Sequence, residues 1–118
     1  MPAHLTTISL EVSNVEVSQR FYTGIFEMTV DLDRSEPSTF IYLMSAGVAI
    51  TLARVANGQS PQPSSTMELG FELADIDGLR ARLENFGVKC IERRMSWGMT
   101  IELSDPDGYH IVCYQFTN

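Results

Sequence analysis

The chain has 118 residues, two cysteines and a formal net charge of −7, a length that suffices for one domain with its own core. Fifteen acidic residues against eight basic ones exclude a nonspecific nucleic-acid surface, which needs clustered Lys and Arg. No apolar run approaches the roughly 18 residues of a membrane span.

The opening segment Met-Pro-Ala-His-Leu-Thr-Thr lacks the basic and apolar regions of a signal peptide, so a cytoplasmic location is expected. Cys90 and Cys113 fit no metal or redox spacing and read as small core residues in a reducing compartment.

In chain order, Leu5 to Ser13 alternates Ile8, Leu10 and Val12 with Thr7, Ser9 and Glu11, which predicts a half-buried strand. Asn14 is placed to cap a helix over about Val15 to Phe26, with Val15, Ser18, Tyr22 and Ile25 on one face. A short strand follows from Met28 to Asp33. Thr39 to Met44 is apolar on both faces, which predicts a strand covered on both sides. Ala46-Gly47 turns the chain into a strand from Val48 to Val55. The segment 57–65, rich in Gly, Ser, Pro and Asn, reads as a linker. The second half then repeats the order. A strand from Thr66 to Ala74 leads to the cap Asp75 and a helix from Ile76 to Phe86, with Ile76, Leu79, Leu83 and Phe86 facing one way and Gly87 stopping it. Strands follow near Val88 to Arg94, Gly98 to Ser104 and Tyr109 to Phe116, the last two joined by the turn Asp105-Pro106-Asp107-Gly108.

The two halves are in register. Val12-Ser13-Asn14-Val15 and Leu73-Ala74-Asp75-Ile76 lie 61 positions apart, and so do Gly47 and Gly108. A repeat at one offset without a gap predicts an α+β fold, two tandem β-α-β-β-β modules with curved mixed sheets around a shared cleft. Module one spans about residues 1–56 and module two about 66–118, within a single domain 1–118.

The strand, the Asn14 cap and Ser18-Gln19-Arg20-Phe21-Tyr22 resemble the opening of the glyoxalase/bleomycin-resistance/extradiol-dioxygenase (vicinal oxygen chelate) superfamily. Trp97-Gly98, Asp105-Pro106-Asp107-Gly108 and Ile111 resemble its closing hairpin. The resemblance covers nearly the whole chain and implies paired modules, often in a homodimer. In many members it also implies a divalent metal held by four inward side chains, at positions that fall here on Thr7, Thr51, Glu68 and Val112. Only Glu68 is a good ligand, and catalytic metal sites typically use about three protein ligands. No metal and no cofactor are therefore expected.

Strand alternation predicts the lining of the cleft. Thr7, Ser9 and Glu11, then Ala49, Thr51 and Ala53, face inward in one module. Glu68, Gly70 and Glu72, then His110, Val112 and Tyr114, do so in the other. The candidate ligand-binding residues are Thr7, Ser9, Thr51, Glu68, Glu72, Trp97, His110, Val112 and Tyr114. Each has a plainer alternative. Glu68 and Glu72 are either solvated carboxylates or partners of a cationic group. Trp97 either fills the core or stacks on a ligand. His110 is read as structural rather than as a general base, since no carboxylate partner can be assigned to it from sequence. Tyr114 either caps the cleft or lies in a dimer interface. Met44, Met95 and Met99 are read as core filling, and Arg80, Arg82, Arg93 and Arg94 as solvated charges. The expected function is a metal-free small-molecule-binding protein of the drug-resistance type, sequestering an amphipathic or cationic ligand. The alternatives are a lyase, isomerase or dioxygenase-type enzyme with Glu11, Glu68, Glu72 and His110 as acid/base groups, and a dimeric interaction module without ligand. A homodimer is the expected partner state, with no nucleic acid and no membrane.

Overall fold

The structure is a computed structural model and describes residues 2–117. The chain divides between Gln62 and Pro63 into two compact units. The first contains β1 (Thr7–Val12), α1 (Val15–Ile25), β2 (Thr29–Val30), β3 (Phe40–Met44) and β4 (Ala49–Arg54). The second contains β5 (Leu69–Glu72), α2 (Ile76–Asn85), β6 (Ile91–Met95), β7 (Gly98–Ser104) and β8 (His110–Phe116). Each unit is β-α-β-β-β with an open four-stranded sheet. The strand orders are β1-β4-β3-β2 and β5-β8-β7-β6. The first strand of each unit runs parallel to the last, and the remaining pairs are antiparallel. The α+β fold of two tandem modules expected from the sequence is the fold observed. No helix among the described residues is long and apolar enough to cross a membrane.

Both helices start where a side chain accepts an otherwise orphaned N–H. Asn14 Oδ1 accepts from Val17 at 3.1 Å, and Asp75 Oδ1 accepts from Gly78 at 3.0 Å. α1 buries Val15, Ser18, Phe21, Tyr22 and Ile25, and α2 buries Leu79 and Leu83. Each large apolar side chain so buried contributes about 1.5–3 kcal/mol. The helix faces of the sheets supply the rest of each core: Leu10, Val12, Ile41, Leu43, Ile50 and Leu52 in the first unit, and Leu69, Ile101, Leu103, Ile111 and Cys113 in the second.

The repeat holds at 61 residues for the parallel pairing. Ile8 faces Ile50 and Leu69 faces Ile111, and Ser9 faces Thr51 as Gly70 faces Val112. It is not gap-free, as the sequence had suggested. α2 is one residue shorter than α1, so the C-caps Phe26 and Phe86 lie 60 apart. The next residues, Glu27 at φ 58° and Gly87 at φ 68°, share a left-handed conformation that glycine adopts more readily than glutamate. The offset remains 60 through β3 and β7, where Ile41–Leu52 corresponds to Ile101–Cys113. The Asp105–Tyr109 turn restores it to 61. Buried Asp105 builds that turn by accepting the N–H groups of Asp107 and Tyr109, each at 2.9 Å. One consequence corrects the sequence reading: Phe86 caps the helix and is 47% exposed, so it does not continue the buried stripe.

Several elements are shorter than expected. β2 ends at Val30 because Asp31 Oδ1 accepts the N–H groups of Asp33 and Arg34 and turns the chain. β5 starts at Leu69, so Glu68 stands just ahead of the strand. β3 buries Ile41 and Leu43, while Phe40, Tyr42 and Met44 on its other face are half-buried. β6 is an edge strand exposed along its whole length, tied to α2 by Arg80, whose Nε and Nη2 donate to Glu92 at 2.9 and 2.7 Å. Cys90 and Cys113 are free thiols. Burial pushes the Cys113 thiol up to about 12 and raises that of Cys90.

Two outcomes follow from this packing. A Cβ at Gly98 would collide with the Gln115 carbonyl oxygen across the β7–β8 pair, so Gly98→Ala should destabilise the fold by about 2 kcal/mol or more in urea denaturation. Hydrogen bonds from Arg80 hold the Glu92 carboxyl below its usual range, so the contact stabilises above the unfolded carboxylate pKa and is lost as pH falls through the folded one. Glu92→Gln should therefore lower the unfolding midpoint at neutral pH, and the gap to the native protein should close in acid.

Candidate functional site

Alternation along β8 decides which residues share the face away from the helix in the second unit. Gln115 points to the helix side, accepting the Ile76 N–H at 2.8 Å and donating to Ala74 O at 3.0 Å. Ile111 and Cys113 share that side. His110, Val112, Tyr114 and Phe116 therefore occupy the other face. The ladder places Ser104 beside His110, Glu102 beside Val112, Thr100 beside Tyr114 and Gly98 beside Phe116. On β6, Ile91, Arg93 and Met95 join the same rows opposite Glu102, Thr100 and Gly98. β5 completes them, with Gly70 beside Val112 and Glu72 beside Tyr114.

One end of this face is aromatic. The Trp97 ring lies 5.3 Å from Phe116 and 6.4 Å from Tyr114, and Tyr114 lies 5.5 Å from Phe116. These tilted and edge-on contacts are the preferred geometries of ring pairs. The patch stays accessible, with Trp97 39% and Phe116 52% exposed. Exposed Glu72 borders it. Gly70 adjoins it, where a Cβ would stand in ordinary contact with the Tyr114 ring at 3.7 Å.

The other end is charged. His110 Nε2 lies 3.5 Å from Glu68 Oε2 and 3.6 Å from Glu102 Oε1. Arg93 Nε donates to Glu102 Oε2 at 3.1 Å. His110 thus has two carboxylate neighbours where sequence alone assigned none. An open recess of about 610 Å³ lies here, lined in part by Lys89, Arg93, Glu102, Ser104 and His110.

The first unit carries the other sequence candidates. Thr7 is half-buried beside Ala49, and Ser9 is exposed. Buried Thr51 donates its hydroxyl to Ser9 Oγ at 2.7 Å. On the same face, the Arg34 guanidinium stands 5.3 Å from the Tyr42 ring centroid and pairs with Asp31 at 2.9 Å. A recess of about 510 Å³ beside them includes Arg34, Tyr42, Met44 and His4.

The structure therefore joins Glu68 with His110, Trp97 with Tyr114, and Ser9 with Thr51. It adds Glu102, Arg93, Lys89 and Ser104 in the second unit and Arg34 with Tyr42 in the first, none of which the sequence reading put at a site. Glu102 was detectable, since it alternates with the core residues Ile101 and Leu103. Arg34 had no such signal, because it lies in an irregular segment.

The metal positions implied by the resemblance do not fit a metal. Thr51 spends its hydroxyl hydrogen on Ser9, Val112 has no donor atom, and Glu68 faces His110. Among the described residues no group of three or more His, Cys, Asp or Glu is placed to hold an ion.

The fold has many solved counterparts. A glyoxalase/bleomycin resistance protein/dioxygenase domain from Frankia sp. EAN1pec superposes with a TM-score of 0.79 at 20% identity, covering 99% of this chain and 100% of that one. Fosfomycin resistance protein FosX from Mesorhizobium loti gives 0.77 at 17% identity, with coverage of 99% and 95%. Lactoylglutathione lyase from Agrobacterium tumefaciens gives 0.69 at 16% identity, with coverage of 97% and 94%. No curated protein matches the chain in sequence. The family model that does match spans residues 3–112. The chain belongs to the glyoxalase/bleomycin resistance protein/dioxygenase superfamily.

Proposed function

We propose that the protein binds a small amphipathic molecule without a metal, on the open sheet face of the second unit. The observation that carries this reading is the accessible cluster of Trp97, Tyr114 and Phe116 bordered by Glu72. An apolar or aromatic ligand body gains from stacking on these rings, and a cationic group gains from both the ring faces and the carboxylate. Fixed polar groups beside an apolar floor are what orient a small ligand. The names of two structural relatives, a fosfomycin resistance protein and a lactoylglutathione lyase, refer to proteins that act on small molecules, which agrees with this reading. Sequestration of a drug-like compound in the cytoplasm is its most concrete form. The free thiols of Cys90 and Cys113 suit a reducing compartment.

A second reading, an enzyme with His110 as acid/base group, is favoured by the two carboxylates beside its imidazole. A carboxylate neighbour orients the ring for proton transfer. We also propose a homodimer, since Ile91 and Met95 leave apolar surface exposed along the β6 edge strand.

Calorimetry with cationic aromatic compounds tests the binding reading. Glu72→Gln and Trp97→Phe should each weaken binding by about threefold to tenfold, the scale of one partly exposed charge or ring contact. Unchanged affinity in both variants would remove this face as the site and advance the interaction-module alternative. Native mass spectrometry after dialysis should show twice the chain mass and no stoichiometric metal. A bound, chelator-sensitive metal would overturn the metal-free reading, and a monomer mass at micromolar concentration would overturn the dimer.

A further inference from the structure

The charged end of the second unit supports an inference that does not depend on the aromatic end. Lys89, Arg93, Ser104 and His110 converge on the recess of about 610 Å³. The strand pairing explains why. Ser104 on β7 pairs with His110 on β8, and Lys89, two residues before the Ile91 partner of Glu102, lines the same recess. An ammonium, a hydroxyl and an imidazole thus line one recess.

The acidic groups nearby are already engaged. Glu102 offers one oxygen to Arg93 Nε at 3.1 Å and the other to His110 at 3.6 Å. Glu68 also faces His110, at 3.5 Å. Arg93 meets Glu102 through its Nε, which leaves the two terminal nitrogens of its fork for another acceptor. Among the described residues neither those nitrogens nor the Lys89 ammonium has an ion-pair partner. The lining residues carry two fixed cations, Lys89 and Arg93, against one fixed anion, Glu102, in a chain of net charge −7. A local excess of donors in an acidic protein runs against the bulk charge.

We propose that this recess binds an oxyanion group, a carboxylate or phosphate, of a small molecule. Lys89 and the terminal nitrogens of Arg93 supply charge-assisted hydrogen bonds, Ser104 supplies a neutral one, and His110 lines the recess beside them. Glu102 acts as a positioning residue, since it holds Arg93 by one edge and keeps the fork beside the recess.

The test uses inorganic phosphate and benzoate as probes at constant ionic strength, with sodium chloride as the balancing salt. The protein has two histidines, His4 and His110, so a His4→Gln variant assigns the His110 imidazole signal in proton–carbon NMR. One or both probes should shift that signal saturably, and chloride should not. Lys89→Gln should weaken the response by about threefold to tenfold, as expected for one partly exposed charge-assisted contact. Lys89→Glu should abolish it. Trp97→Phe should leave the phosphate response unchanged, which separates this site from the aromatic end. The proposal is overturned if neither probe gives a saturable shift, or if the shift is the same in Lys89→Gln and Lys89→Glu as in the native protein. Arg93→Gln adds a second check on the folded protein, since it should weaken phosphate binding while the backbone spectrum of β7 and β8 is preserved.

Discussion

The parallel pairing of first and last strand in each unit is the constraint on which the rest depends. β1 lies against β4, and β5 against β8, in registers related by 61 residues. A parallel pair cannot be closed by a tight turn, so a helix and two further strands must fit between its members. Once the pair is set, the period of two along each strand assigns every side chain to the helix face or the open face. A slip of one residue would send Ile111 and Cys113 outward and bring His110 and Tyr114 into the core. Burial of Leu69, Ile111 and Cys113 on the helix side of the sheet penalises that slip by several apolar side chains.

The one-residue difference between the modules shows how a repeat can drift without loss of fold. α2 gives up a residue before the β6–β7 hairpin, and the Asp105 turn returns it. The parallel pair stays in register because the two changes cancel before β8. The strands between them keep their own antiparallel ladder, which needs only internal consistency. Divergence is thus tolerated where pairing is local and resisted where it spans the unit.

The open face of the second unit divides its chemistry along the strands. Aromatic rings gather at the end where β8 finishes and the β6–β7 turn brings in Trp97. Ionisable groups gather where β8 begins. Low exposure is not needed for either end to matter, because stacking area and charge-assisted hydrogen bonds both operate at half-buried surfaces, with the charges screened over about 8 Å at physiological salt. Bringing Arg93, Glu102, His110 and Glu68 together gives each charge a partner of opposite or titratable character. Exposed pairs of this kind add little to stability, so their value lies in fixing where donors and acceptors point.

The order of elements, the helix caps Asn14 and Asp75, the buried stripe of α1 and the alternation of β1 and β8 were legible in the sequence. Each is a local property: periodicity, a capping side chain or a turn residue. The same local logic groups His110, Val112 and Tyr114 on one face of β8. It also misjudged Phe86, because periodicity does not register a helix ending one residue early. Only tertiary structure decided which charged residues meet. Arg93 and Glu102 lie on neighbouring strands, Glu68 and His110 on another pair, and their contact depends on strand order and register rather than on spacing in the chain. The sequence by itself determined the two modules and the face on which each strand residue sits. The folded sheet determined the neighbours across strands, since hydrogen-bonded registers between distant segments are set by the packing of the whole unit.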